Sequence, residues 1–272
     1  MPQKNRIFLK GVACCLALLL AGCGMTEVDV PTEPSAEQVE TTQEPTRETV
    51  PPNPYTPEDF TTEGNYVNCI TGESRFGIDV SYWQGDIDWQ QVREAGVEFA
   101  MIRVGWRGSE QGILDIDEFA QQNYEGAKAA GIQVGCYFFS QAISPEEAVE
   151  EAEYVLELTK DWQLDMPIVY DWEYISWDSR TGFVDARLLT DCTIAFCERI
   201  RQAGHEPMIY FNADQSHKQM FLEELTAYPF WLAMYESEMD YPYKIDMWQY
   251  TDAGTIPGID GNVDLNLYFI YE

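Results

Sequence analysis

From residue 75 onward, apolar runs of strand length alternate with stretches of helical periodicity. This rhythm confines the chain to folds built on a parallel sheet, because parallel neighbours need a crossover between them. Arg75 to Val80 reads as a strand, Trp89 to Ala95 as a helix stopped at Gly96, and Val97 to Val104 as a second strand. Phe119 to Ala130 places apolar or small residues at helical spacing and stops at Gly131, and Ile132 to Phe139 is a third strand. Ser144, Pro145 and Glu147 supply an N-cap, an N1 proline and a capping-box partner, opening a helix to about Lys160. A fourth strand, Met166 to Tyr174, is followed by a helix from Asp185 to Ala203, a fifth strand from Met208 to Asn212 and a helix from Gln215 to Ala227. Phe230 to Tyr235, Ile245 to Tyr250 and Val263 to Leu267 then leave little room for helices between them. Five βα units and three further strands predict an α/β fold, a TIM-like β/α barrel closed by eight strands and lacking its last helices. No internal repeat stands out.

The N-terminal quarter is of another kind. Lys4, Arg6 and Lys10 precede the apolar run Val12 to Leu20, and this basic, then short apolar, pattern is that of an export signal over residues 1–22. Leu20-Ala21-Gly22-Cys23 resembles the lipobox of bacterial lipoproteins, which implies cleavage before Cys23 and lipid on that residue. Residues 23–60 are rich in Pro, Thr and Glu and short of large apolar side chains, so they read as a disordered acidic linker ahead of a folded body at 61–272. The expected location is extracytoplasmic, with contact to the cell membrane through the lipid alone. With 16 basic against 47 acidic residues and a net charge of -31, nucleic acid is excluded as an electrostatically held partner.

Cys69, Cys136, Cys192 and Cys197 fall in the folded part without CxxC or Cys/His spacing, so free thiols are expected. Only His205 and His217 occur, and there is no HExxH, so neither a metal nor a cofactor is expected and no Ser/His catalytic pair is attractive.

The chemistry concentrates at strand ends, where barrels of this kind carry it. The fourth strand ends MPIVYDWEY, and strand alternation puts Asp171 and Glu173 on one face, roughly 6.6 Å apart at Cα, with Tyr170 and Trp172 on the other. Mutual repulsion and burial raise the pKa of the less solvated acid, leaving one carboxyl protonated and one ionised, the equipment for acid-assisted glycoside cleavage. Asp79 ends the first strand and Asp264 lies in the last, and these strands are neighbours in a closed barrel. The four carboxylates are therefore expected at one mouth. Among aromatics near strand ends, Tyr82, Trp106, Tyr137, Phe139, Tyr210, Trp248 and Tyr250 can stack on sugar faces. Tyr137, Tyr210 and Trp248 are favoured, with Asn212 and Gln249 as hydrogen-bonding residues.

Taken together, GIDVSYWQG (77–85), FAMIRVGW (99–106), DEFAQQNYEGAKAAGIQVGCYFFS (117–140), PIVYDWE (167–173), MIYFN (208–212), MWQY (247–250) and GNVDLN (261–266) resemble glycoside hydrolase family 25, the Chalaropsis-type lysozymes. The resemblance covers about residues 75–270, in order. It implies a β/α barrel with irregular final strands and hydrolysis of the β-1,4 bond between N-acetylmuramic acid and N-acetylglucosamine in the glycan strands of peptidoglycan. Glu173 matches the family's general acid, Asp171 the companion carboxylate of its Asp-x-Glu motif, and Asp79 and Asp264 the flanking acids of the groove. Trp172 fills the variable position of the motif, and the insertion Ser176 to Val184 reshapes the groove's rim. The expected form is a monomer. Family members are thought to retain configuration with help from the substrate's own 2-acetamido group, while direct attack by Asp171 and inversion through a water stay open on sequence grounds. A non-catalytic glycan-binding lipoprotein and a chitinase-like hexosaminidase are the competing readings. The latter's upstream aspartates are absent here, where Val169 and Pro167 stand.

Overall fold

The computed structural model describes residues 49–235 and 238–271. A hairpin of β1 (Phe60–Glu63) and β2 (Tyr66–Cys69) precedes the first barrel strand, β3 (Glu73–Val80). The βα units follow: α1 (Trp89–Glu94), β4 (Phe99–Arg107), the short β5 (Leu114–Ile116), α2 (Ala120–Ala129), β6 (Gln133–Ser140) and α3 (Pro145–Leu158). Next come β7 (Ile168–Trp172), α4 (Ala186–Gln202), β8 (Pro207–Asn212), α5 (Ala213–Lys218), β9 (Phe230–Ala233), β10 (Met247–Gly254) and β11 (Val263–Ile270).

Eight of these strands close on themselves in the order β3-β4-β6-β7-β8-β9-β10-β11, with β11 returning to β3. Every neighbouring pair from β3 to β10 is parallel. β11 runs antiparallel to both β10 and β3, because residues 255–262 contain no helix and a connection that short cannot carry the chain back for a parallel strand. β5 folds back on the far end of β4, from Gly105 to Arg107.

Two apolar layers hold the barrel. Inside it, Phe99, Met101, Val169, Met208, Trp231 and Met247 fill the interior. Outside, a larger layer lies between the strands and the helices, with Val92, Ala127, Val155, Phe196 and Ile200 as helix contributions. Gly77 is fixed by the inner layer: a Cβ there would stand 2.4 Å from the Phe99 ring, so the strand can carry no side chain at that point. Cys69, Cys136, Cys192 and Cys197 are free thiols.

Three expectations change. The last helix is α5, already ended at Lys218, followed by a 3-10 turn at Leu222–Glu224 in place of a helix to Ala227. Asn212 caps it early, and burial of Met220, Leu222 and Leu225 against the barrel overrides helical continuity. Glu147 accepts from the Ile143 amide at 3.0 Å, one residue before the Ser144 cap, whose hydroxyl in turn accepts from the Glu147 amide. The boundary at residue 60 also moves. Pro52 bridges to Tyr243, Lys244 donates to the Pro51 carbonyl at 2.8 Å, and Tyr55 and Phe60 lay their rings 4.9 Å and 5.3 Å from Phe269 and Trp248. A composition average over a polar stretch conceals two aromatic anchors of this kind. The signal segment, Cys23 and the linker up to residue 48 lie outside the described residues.

Candidate active site

The interior layer stops short of the C-terminal ends of the strands, and above it opens a cavity of about 300 Å³. Asp79, near the end of β3, sits across from Asp264 of β11 in the antiparallel register. Asp79 is buried, and its Oδ2 accepts from Gln249 Nε2 at 2.9 Å and Asn266 Nδ2 at 2.8 Å. Those amides are themselves fixed: Asn266 Oδ1 accepts from the Trp231 indole at 2.9 Å, and Gln249 Oε1 from the hydroxyls of Tyr210 at 3.0 Å and Tyr235 at 2.7 Å.

Asp171 closes β7, between Phe139 of β6 and Tyr210 of β8. Tyr170 and Trp172 turn outward, the first with its ring 4.8 Å from Phe196 and the second donating to the Ala142 carbonyl at 3.1 Å. Pleating therefore leaves Asp171 and Glu173 on the inner face, and both line the cavity with Asp79 and Asp264. The Asp171 Oδ1 oxygen is buried and has no hydrogen-bond partner among the described residues.

Removal from water is the first cause that raises all four pKa values. For Asp171, held well above the usual carboxylate range, burial is followed by the charges of Glu173 and Asp79, against the pull of Arg103. Glu173 is raised by burial and then by Asp79. Asp264 is pushed up to about 9 by burial and by Asp79, to which it gives a hydrogen bond. Asp79 is raised by burial too, while bonds from Asn266, Gln249 and Asp264 oppose the shift and favour its ionised form. One site thus holds Asp264, which keeps its proton at neutral pH, beside Asp79, whose ionised form three hydrogen bonds favour.

The sequence model of Glycosyl hydrolases family 25 matches residues 78–259. The chain belongs to this family, and is a glycoside hydrolase. The Escherichia coli protein YegX, described only as uncharacterized, is 30% identical over 203 residues, which is 71% of this chain and 68% of that one. The autolytic lysozyme of Clostridium acetobutylicum is 27% identical over 193 residues, 70% of this chain and 54% of that one. Among solved structures, the modular autolysin LytC from Streptococcus pneumoniae shares the fold, with a TM-score of 0.64 at 23% identity over 77% of this chain. The chain spans 52% of the LytC chain, about half its length.

In this family 25 hydrolase the structure brings together Asp79, Asp171, Glu173, Asp264, Tyr137, Tyr210 and Gln249. Two expected residues stand elsewhere. Trp248 faces the outer side of β10, since alternation puts Gln249 inward, and its indole donates to the Met234 carbonyl at 2.8 Å. Asn212 is exposed at the end of β8 and caps α5, accepting from the Gln215 amide at 2.9 Å. Phe139 lines the cavity, whereas Tyr250 faces outward like Trp248. Tyr82 and Trp106 lie under the Arg103 guanidinium, at 4.7 Å and 5.2 Å.

Sequence reasoning missed Arg103, Trp83, Tyr235 and Asp252, all of which line the cavity. Arg103 could have been found, because it interrupts an otherwise apolar strand and needs a partner; it has Asp117, at 2.9 Å. Trp83, 72% exposed at the rim, offers a ring to solvent. Asp252 gave no signal, since a register shift between Gln249 and Thr251 changes which residues of β10 face inward.

The end of β7 is braced from below. Gln141 Nε2 donates to the Glu173 carbonyl at 2.7 Å, and Gln215 Nε2 to the Trp172 carbonyl at 2.8 Å. The 176–184 insertion sends Arg180 back to the Gln141 carbonyl at 2.6 Å and, through both terminal nitrogens, to Glu147 at 2.9 Å and 2.6 Å. Deeper still, Arg107 pairs with Glu151 at 2.7 Å, and Ser140 donates to the same carboxyl at 2.5 Å. Burial pushes Glu151 up to about 7, against the Ser140 hydrogen bond and Arg107.

Proposed function

We propose that this chain hydrolyses peptidoglycan at the β-1,4 bond between N-acetylmuramic acid and N-acetylglucosamine, with Glu173 as general acid and Asp171 as the carboxylate that orients the substrate's 2-acetamido group. The observation that carries the reading is the pairing of a raised Glu173 with a buried Asp171 oxygen that has no hydrogen-bond partner among the described residues. Glu173 gives its proton to the glycosidic oxygen as the bond to C1 breaks, and the leaving sugar departs as an alcohol. The acetamido oxygen closes on C1 while its N–H donates to Asp171 Oδ1, satisfying an oxygen that otherwise bears the full cost of burial. A water then opens the ring and returns its proton to Glu173, so configuration is retained. Burial and the charge of Asp79 keep Glu173 protonated, and Asp264 holds Asp79 in place by donating a hydrogen bond to it. Tyr137, Tyr210 and Gln249 contact the sugar, and Trp83 and Tyr235 stand at the rim. The lysozyme relative and the family membership support the substrate class.

In the same reading the enzyme acts as a monomer outside the cytoplasm, anchored by lipid on Cys23. Radiolabelled fatty acid should enter the wild-type chain and not Cys23→Ala. The test of the function is the new reducing end released from purified peptidoglycan. Muramic acid there supports the assignment, glucosamine there replaces it with a glucosaminidase, and no release from peptidoglycan with release from chitin makes the enzyme chitinase-like.

A further inference from the structure

The family match begins at residue 78, and the β1–β2 hairpin that precedes it builds a second cavity, of about 430 Å³. It lies behind β10 as seen from the cleft: Trp248 and Tyr250 face this cavity, Gln249 the cleft. Its floor is apolar, made by Phe60, Val67, Met239, Trp248 and Tyr250. Its polar lining includes Thr62 and Asn65 from the hairpin and Glu238 from the segment after β9, and among the described residues no Lys, Arg or His lines it. Tyr235 lines both cavities, and its hydroxyl donates to the same Gln249 whose amide holds Asp79. The two sites share a wall and one rim residue.

We propose that this cavity is a peptide subsite, binding the amine-bearing residue of the stem peptide carried by the glycan in the cleft. The inference rests on the peptidoglycan reading given above. A side chain of several methylenes ending in an ammonium matches an apolar floor with one carboxylate at its edge. A carboxylate-ended residue would meet Glu238 and a chain of net charge -31 with no cation among the described lining residues. Tyr235 lines both cavities, so an extended peptide, advancing ~3.3 Å per residue, runs past it from the cleft to the second cavity. The cleft fixes the sugar, and the hairpin, a part of the chain outside the family match, selects what hangs from it.

The test uses the full chain and a free stem tetrapeptide containing a diamino acid, titrated by calorimetry. Saturable binding is expected, weakened at least about threefold by Glu238→Gln or by acetylating the peptide's amine. Thr62→Trp, which plugs the cavity from an exposed strand position, should abolish it. In parallel, peptide-bearing and peptide-stripped glycans are compared. Wild type should show the higher kcat/KM on the peptide-bearing form, and both variants should lose that preference while matching wild type on stripped glycan. Absence of peptide binding, binding indifferent to both variants, or equal wild-type kcat/KM on the two glycans would each overturn the proposal. If the peptide binds and Thr62→Trp abolishes it while no glycan is cleaved, the subsite stands and the hydrolase assignment fails.

Discussion

Asp264 and Asp79 face each other across two antiparallel strands, and burial pushes both pKa values up. Gln249 and Asn266 break the tie by donating to Asp79, so Asp264 becomes the proton-bearing partner. This arrangement costs stability in a definite pH window. A folded-state pKa raised from 3.8 to about 9 means that the unfolded chain releases a proton the folded one keeps, so stability falls as pH rises across that interval. Asp264→Asn should therefore raise the melting temperature at pH 8 by on the order of a few degrees and leave it unchanged at pH 3.5, where both states are protonated. A melting temperature lowered equally at both pH values would show that Asp264 serves packing instead. The four acids were legible in the sequence because each sits at a strand end and alternation fixes which way it points. The same alternation, applied to β10, would have excluded Trp248, whose neighbour Gln249 takes the inward position. Asn212 was misjudged for another reason: at a strand end that is also a helix start, its oxygen is claimed by the helix.

At the scale of elements, the order of strands and helices could be read from periodicity, since each βα unit needs its own apolar runs and its own stop signal. What escaped was whatever depends on partners distant in sequence. The antiparallel run of β11, the early end of the last helix and the packing of Tyr55 and Phe60 onto β10 and β11 are decided by contacts that no local window contains. The 176–184 insertion is the clearest case. In the sequence it is an interruption after the acid pair; in the structure its Arg180 ties Glu147 at the start of α3 to Gln141, which holds the backbone of Glu173. Because the Arg180–Glu147 bridge is largely buried and bidentate, Arg180→Ala should destabilise the fold by about 1–3 kcal/mol in denaturant unfolding. It should also lower kcat more than it changes KM, as Glu173 loses its brace. An unchanged kcat with only a stability loss would confine the loop to a structural role.

For the whole molecule, charge and fold act in opposite directions on catalysis. Burial and the charge of Asp79 raise the Glu173 pKa, whereas the net charge of -31 opposes approach to an anionic substrate. Raising ionic strength from 0.01 to 0.1 M shortens the screening length from ~30 to ~10 Å, so kcat/KM on intact walls should rise, and on short neutral glycans it should stay level. A fall on both substrates would mean that the acidic surface assists encounter. The proposed proton transfer from Glu173 to the sugar linkage depends on burial and the charge of Asp79, which raise its pKa. It is tested most directly by the pH profile of kcat/KM on purified glycan strands, wild type beside Glu173→Gln. Wild-type kcat/KM should fall as pH rises through a value above 4.5, the ordinary glutamate pKa, and the variant should be slower by at least ~10²-fold at every pH. A wild-type alkaline limb at or below that ordinary value, or a variant that keeps its rate, would contradict it.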